Sequence, residues 1–291
     1  MTSLEVSPSN LGVASQVDTM ISLIEAPGPI RFTKHLAARW QVGLDGLVNL
    51  NHPAAIEAGL TARQEPIELY VYTLEHPEYG TYIVDSGISE RFIKPMENTD
   101  MSWLVRQFFK GNMPIVVKTT KSIVDSYETG IKGAFLTHIH LDHIFGLKDL
   151  PPGTPVYLGP NDTGMRSMEN MATQGTMDNL LGHVDSLQEW QYSELLEGQF
   201  SVIDIFGDGS VWAIHSPGHT PGSTAYLVRT TQGTQLLLGD VCHTRWGWEH
   251  GVEPGTFSND PPKSVESLAR LISLVNAHPS IGVHPGHQSL N

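Results

Sequence analysis

Between Thr137 and Ile144 the chain sets His138, His140, Asp142 and His143 into six consecutive positions, an H-x-H-x-D-H pattern bounded by apolar residues. At the chain's own histidine and aspartate frequencies, four donors in that order arise by chance about once in several hundred chains of this length, which separates the pattern from a lone histidine. Imidazole and carboxylate are the donors that borderline divalent ions such as zinc prefer, and crowding them in sequence closes a site at little cost in loop entropy. In an extended loop His138 and His140 share one face, while Asp142 and His143 fall to the neighbouring side, so two adjacent ion sites become possible.

More donors sit at strand ends and tight turns further along. Pro217-Gly218-His219-Thr220-Pro221-Gly222 carries one histidine, Leu236-Leu237-Leu238-Gly239-Asp240 ends on a carboxylate, and His284 and His287 flank Pro285-Gly286. Upstream, Val84-Asp85-Ser86-Gly87 follows an apolar run. Asp85 reads either as a turn-capping carboxylate or as a group that orients a ligand histidine.

The elements that must hold these donors are partly legible. Residues 67–74 and 81–84 are rich in β-branched and aromatic residues across a Pro/Gly turn and predict two strands. Residues 101–130 have helical apolar spacing, and 134–137 predicts a short buried strand that delivers the histidine cluster at its C-terminal end, where open α/β sheets present ligands. Short strands are predicted at 201–205, 211–215, 223–228 and 235–239. Asp260 and Pro261 predict a helix start, with Val265, Leu268, Ala269, Ile272 and Val275 as its apolar face. Residues 1–17 read as a poorly ordered arm, residues 18–65 give no assignment, and Met165, Met168 and Met171 suggest a packing stripe.

The ordered series of motifs resembles the metallo-β-lactamase superfamily over residues 66–291. The resemblance implies an α/β fold, the αβ/βα sandwich of two mixed sheets flanked by helices, with residues 1–65 as an N-terminal arm and family-variable elaboration of one structural unit. It implies that His138, His140 and His219 bind one ion, that Asp142, His143 and His287 bind a second, and that Asp240 bridges them, with Asp85 orienting a ligand. Two divalent ions are expected, zinc foremost, with iron or manganese as alternatives. For the final ligand, His287 is favoured over His284 because it follows Pro-Gly. A hydroxide held between two such ions is a nucleophile at neutral pH, which implies hydrolysis of a carbonyl or phosphoryl centre.

Within the superfamily, the four residues after His287 leave no room for the C-terminal domain of glyoxalase II enzymes. Asp240 stands where the commonest zinc β-lactamases carry Cys or Ser, and His140 where flavodiiron proteins carry Glu. The remaining likeness is to the lactonase and ester hydrolase branch. There a tyrosine often stands three residues after the bridging aspartate, and here His243 takes its place, as in some organophosphate-hydrolysing relatives. Asp142 and His243 are thus expected at the reacting centre, His243 assisting the leaving oxygen. The alternatives are an organophosphate or aryl ester hydrolase on the same site, a mononuclear iron dioxygenase of the persulfide type, and a noncatalytic scaffold.

Composition narrows the partners. A net charge of −14 repels phosphate backbones and anionic membranes, so a small ester or lactone is expected rather than nucleic acid or lipid, and a homodimer is allowed. The single cysteine, Cys242, excludes an internal disulfide and fits a cytoplasmic, reducing location. Neither a leader nor an apolar run of membrane-spanning length is expected. Cys242 beside His243 reads better as a small core residue than as a nucleophile, and no G-x-S-x-G elbow occurs.

Overall fold

The computed structural model describes residues 5–93, 101–164, 171–181, 184–193 and 200–290. Its strands are β1 (Val6–Pro8), β2 (Val13–Ser15), β3 (Arg31–Gly43), β4 (Gln64–His76), β5 (Gly80–Val84), β6 (Ile115–Val116) and β7 (Ile131–Phe135). They continue with β8 (Val156–Leu158), β9 (Leu187–Glu189), β10 (Val202–Asp204), β11 (Val211–His215), β12 (Thr224–Thr230), β13 (Gly233–Gly239) and β14 (Gly282–Pro285). The helices are α1 (Val17–Leu23), α2 (Leu44–Leu47), α3 (Pro53–Glu57), α4 (Trp103–Phe109), α5 (Thr120–Val124), α6 (Leu141–Ile144), α7 (Met171–Leu181), α8 (Arg245–His250) and α9 (Pro261–Ala277).

Two mixed sheets result, ordered β1-β9-β8-β7-β5-β4-β3-β6 and β14-β13-β12-β11-β10-β2. Strand periodicity sorts side chains into three apolar layers. Along β4, Ile67, Leu69 and Val71 enter the layer outside the first sheet, while Tyr70, Tyr72 and Leu74 enter the layer between the sheets. Along β12, Tyr226 and Val228 meet that middle layer from the other side, and Ala225 and Leu227 face the outer layer beneath α9. Both faces of each sheet are therefore buried, which defines the expected αβ/βα sandwich.

Two expectations need correction, and a third is only partly testable. The first 17 residues are not a loose arm where they are described: β1 pairs in parallel with β9, and β2 pairs antiparallel with β10. Short, polar segments gave no periodicity, yet each finds an open sheet edge. Residues 101–130 hold two short helices with the edge strand β6 between them, so the helical spacing there was incomplete as a guide. Of the methionine stripe, Met165 and Met168 lie outside the described residues.

Helix α9 starts as expected, with the Asp260 carboxylate accepting from Lys263 N at 3.2 Å. Its inward face is turned, however. Ser264, Ser267, Leu268, Leu271 and Leu274 are buried, and Val265 is exposed. The leucines contribute roughly 1.5–3 kcal/mol each by leaving water. The two serines turn inward because they meet the Pro217-Gly218 turn: Ser267 Oγ donates to the Pro217 carbonyl at 2.6 Å. Gly218, at φ 142°, lies so close that a Cβ there would stand 2.3 Å from Ser264 N. The helix thereby seats the loop that carries His219.

Candidate metal centre

Every expected donor lies in a loop that follows a strand or on the short helix α6 that such a loop enters. His138 and His140 follow β7, Asp142 and His143 stand on α6, His219 lies between β11 and β12, Asp240 follows β13, and His287 follows β14. The strand pairs β5/β7 and β13/β14 are parallel, so their C-terminal ends meet at one rim of the sandwich.

The donors converge in two groups. In the first, His219 Nε2 stands 3.2 Å from His138 Nε2 and 2.8 Å from His140 Nδ1. Asp240 Oδ2 lies 3.5 Å from His138 Nε2 and 3.3 Å from His219 Nε2. In the second, His287 Nε2 is 3.3 Å from Asp142 Oδ2, and Asp240 Oδ1 lies 3.3 Å from His143 Nε2 and 3.2 Å from His287 Nε2. Donors bound at about 2.0–2.1 Å to one tetrahedral ion stand about 3.3 Å apart, so both groups have the right span. Asp240 turns one oxygen to each group.

Unsatisfied atoms support the fit. His143 Nε2 and Asp240 Oδ1 are buried without a hydrogen-bond partner although they face each other. Buried polar atoms are rarely left unpaired, and two lone-pair donors aimed at one point suit a cation. The donors divide by protonation: His138, His140 and His219 are held neutral, the ligating form, whereas at His143 and His287 burial is outweighed by the carboxylate of Asp240 and its acidic neighbours, which raise the imidazoles. Burial, followed by neighbouring imidazoles, drives His138 well below its ordinary range and His140 down to about 3, and burial lowers His219. Burial pushes the Asp240 carboxyl up, but the imidazoles of His287, His243 and His143 outweigh it and hold the group well below the carboxylate range.

Outside the donor ring, Asp85 accepts from His143 Nδ1 at 2.9 Å and from Thr137 N at 2.8 Å. It occupies the left-handed region at φ 56°, a conformation that a neighbouring structure must enforce. Metal-ligating histidines characteristically carry such a partner on the other ring nitrogen. Asp85→Ala is expected to weaken retention of the ion at His143 by about 10–100-fold, checked by chelator competition. An unchanged affinity would reduce Asp85 to a turn former.

His284 does not join the cluster. Its Nε2 donates to Gln235 Oε1 at 2.9 Å, while burial and then the Lys34 ammonium push its imidazole down to about 4. The unfolded chain therefore takes up a proton first, and stability is lost as pH falls from 6.5 towards that folded value. His284→Gln is expected to flatten the stability profile over that interval by up to about 2 kcal/mol, given partial solvent access, while binding as many ions as the parent. Urea midpoints at saturating metal measure it; an unchanged pH slope would count against the argument.

His243 joins the cluster in an unexpected posture. The residue is 1% exposed, its Nδ1 stands 3.1 Å from the Leu47 carbonyl, and its Nε2 stands 3.0 Å from Asp240 Oδ2. Neither nitrogen is free for a leaving group. Asp142 is the donor with more solvent contact, its side chain 17% exposed. Cys242 is buried, with its thiol pushed up to about 12, as fits a core residue.

Sequence reading missed Asp162, whose buried carboxylate accepts from Gly222 N at 2.6 Å and lies beside Thr220 and the Ile139 amide. It thus ties the loop of His138 and His140 to that of His219, and burial raises its carboxyl to about 7. Asn161-Asp162-Thr163 looks like any surface turn, so no local signal marked it.

The family profile for the metallo-beta-lactamase superfamily matches residues 70–287, and the chain belongs to that superfamily. It is a metal-dependent hydrolase. Among curated relatives it is similar to the N-acyl homoserine lactonase AttM of Rhizobium johnstonii, 26% identical over 228 residues that cover 76% of this chain and 82% of that protein. It also resembles the gamma-lactamase MBL2 of Gibberella moniliformis, 32% identical over 166 residues, 51% of this chain and 64% of that one. Among solved structures, AidC, a dizinc quorum-quenching lactonase, superposes with a TM-score of 0.59 at 13% identity over 97% of this chain and 92% of its own. No helix among the described residues is long and apolar enough to cross a membrane.

Proposed function

We propose that the protein hydrolyses a lactone or related carboxylic ester at a two-ion centre, most naturally of zinc. The observation that carries this reading is the pair of orphaned atoms, His143 Nε2 and Asp240 Oδ1, facing each other where the two donor groups meet. His138, His140 and His219 would hold one ion, Asp142, His143 and His287 the other, and Asp240 both. When bound, such ions polarise a carbonyl and bring the pKa of a water to about 7. The chain's own contribution is to fix the donors: Asp85 locks His143, the Glu68 carbonyl locks His287 at 3.1 Å, and the buried loops exclude competing solvent. Asp142 and His140, the less buried donors, mark the side from which substrate approaches.

The cyclic acyl substrate rests on the relatives named as an N-acyl homoserine lactonase and a gamma-lactamase. Residues 66–291 would carry the catalytic unit with residues 1–65 as its elaboration, in a cytoplasmic protein whose lone thiol stays reduced. Acyl-homoserine lactones, simple lactones, a γ-lactam, aryl esters and a phosphotriester, assayed on zinc-loaded protein, test the substrate class. Turnover of lactones supports the reading. Efficient turnover of the phosphotriester with every lactone ignored would replace it with an organophosphate hydrolase.

A further inference from the structure

A backbone carbonyl only accepts, so the 3.1 Å contact between His243 Nδ1 and the Leu47 oxygen fixes the proton on Nδ1. In the neutral ring Nε2 then carries a lone pair, and that lone pair points at a second electron-rich atom, Asp240 Oδ2, 3.0 Å away. At that distance the two atoms are joined either by a second ring proton, as an ion pair, or by a metal cation, and the further donors converging there favour the cation. His287 is arranged in the same way, its Nδ1 on the Glu68 carbonyl and its Nε2 towards Asp240. The two rings stack at 5.5 Å with an interplanar angle of 11°, so their Nε2 atoms face one region. Donor atoms of Asp240, His243 and His287 all lie within 4.8 Å of one another.

We propose that His243 is itself a metal ligand, binding through Nε2 on the Asp240–His287 side of the centre. This rests on the two-ion reading above and extends it. The proton donor expected from sequence would need a ring nitrogen that carries a proton towards substrate, whereas this ring is enclosed and its only fixed proton faces Leu47. An anchored Nδ1–H is the arrangement that sets the tautomer of ligating histidines and raises their basicity. Leu47 ends α2 and lies outside residues 70–287, so a segment beyond the family match would tune this ion. An added imidazole strengthens retention of the ion and softens its Lewis acidity.

Cobalt(II)-loaded protein gives a readout independent of turnover, because a cobalt-bound imidazole with a protonated ring nitrogen yields a hyperfine-shifted, exchangeable proton resonance. Parent and His243→Gln are compared by proton NMR with metal content measured on the same samples. The expected result is loss of one such resonance in the variant, and an affinity for one ion reduced by at least about a hundredfold. Two bound cobalt ions with the full set of resonances retained would overturn the proposal and leave the two-ion reading standing. Failure of the parent to bind cobalt would overturn both. If His243→Gln drops an ion outright, His243→Glu decides: a replacement ligand atom restores the stoichiometry, and absence of rescue counts as refutation.

Discussion

Asp240→Ala is expected to lose both ions and to lower kcat/KM on the substrate by more than about a thousandfold, a loss of at least about 4 kcal/mol of transition-state stabilisation. The reason is geometric. Asp240 offers one oxygen to each donor group, and the imidazoles around it keep it anionic despite burial. Without it, six histidines face one another with Asp142 as the remaining carboxylate among the grouped donors. Elemental analysis and steady-state kinetics check the outcome together. A variant that keeps two ions, or turns over within tenfold of the parent, would dissolve the bridging role.

Stripping the ions with a chelator should abolish hydrolysis and lower Tm by roughly 15–30 °C, with both restored by zinc. An ion present at a thousandfold excess over its Kd contributes about 4 kcal/mol, and a chain of this size shifts by about 2–4 °C per kcal/mol. The physical source is visible in the unpaired buried atoms of His143 and Asp240, which without a cation confront each other across 3.3 Å. Calorimetry of apo and reloaded protein at one pH measures the difference. Equal midpoints would mean that the donors are satisfied without metal.

Much of this centre could be read before any coordinates because its donors are local in sequence or sit in short turns with few conformational options. The H-x-H-x-D-H run and the Pro-Gly-His turns carry their geometry with them. Asp85 was ambiguous, since a carboxylate in a turn looks the same whether it caps backbone or locks an imidazole; only its 2.9 Å approach to His143 separates the two. The posture of His243 was hidden because it depends on a carbonyl 196 residues away. The face of α9 was misjudged for a related reason. Apolar spacing points to oil, but Ser264 and Ser267 turn inward to meet a backbone that sequence does not place. Likewise β1 and β2 carry no periodic signal, because three residues on a sheet edge need only backbone partners.

Those two short strands also constrain the order in which the chain can be finished. Val6 waits for Leu187, and Val13 waits for Asp204, so the opening segment closes contacts across nearly two hundred residues in both sheets. On a growing chain, neither β9 nor β10 exists to receive it until most of the protein has been synthesised. Until β1 and β2 dock, the edges of β9 and β10 stand bare, and exposed edges are templates for pairing with other chains. Docking of these two strands is thus a closure over nearly two hundred residues, the kind of non-local pairing that favours slow folding.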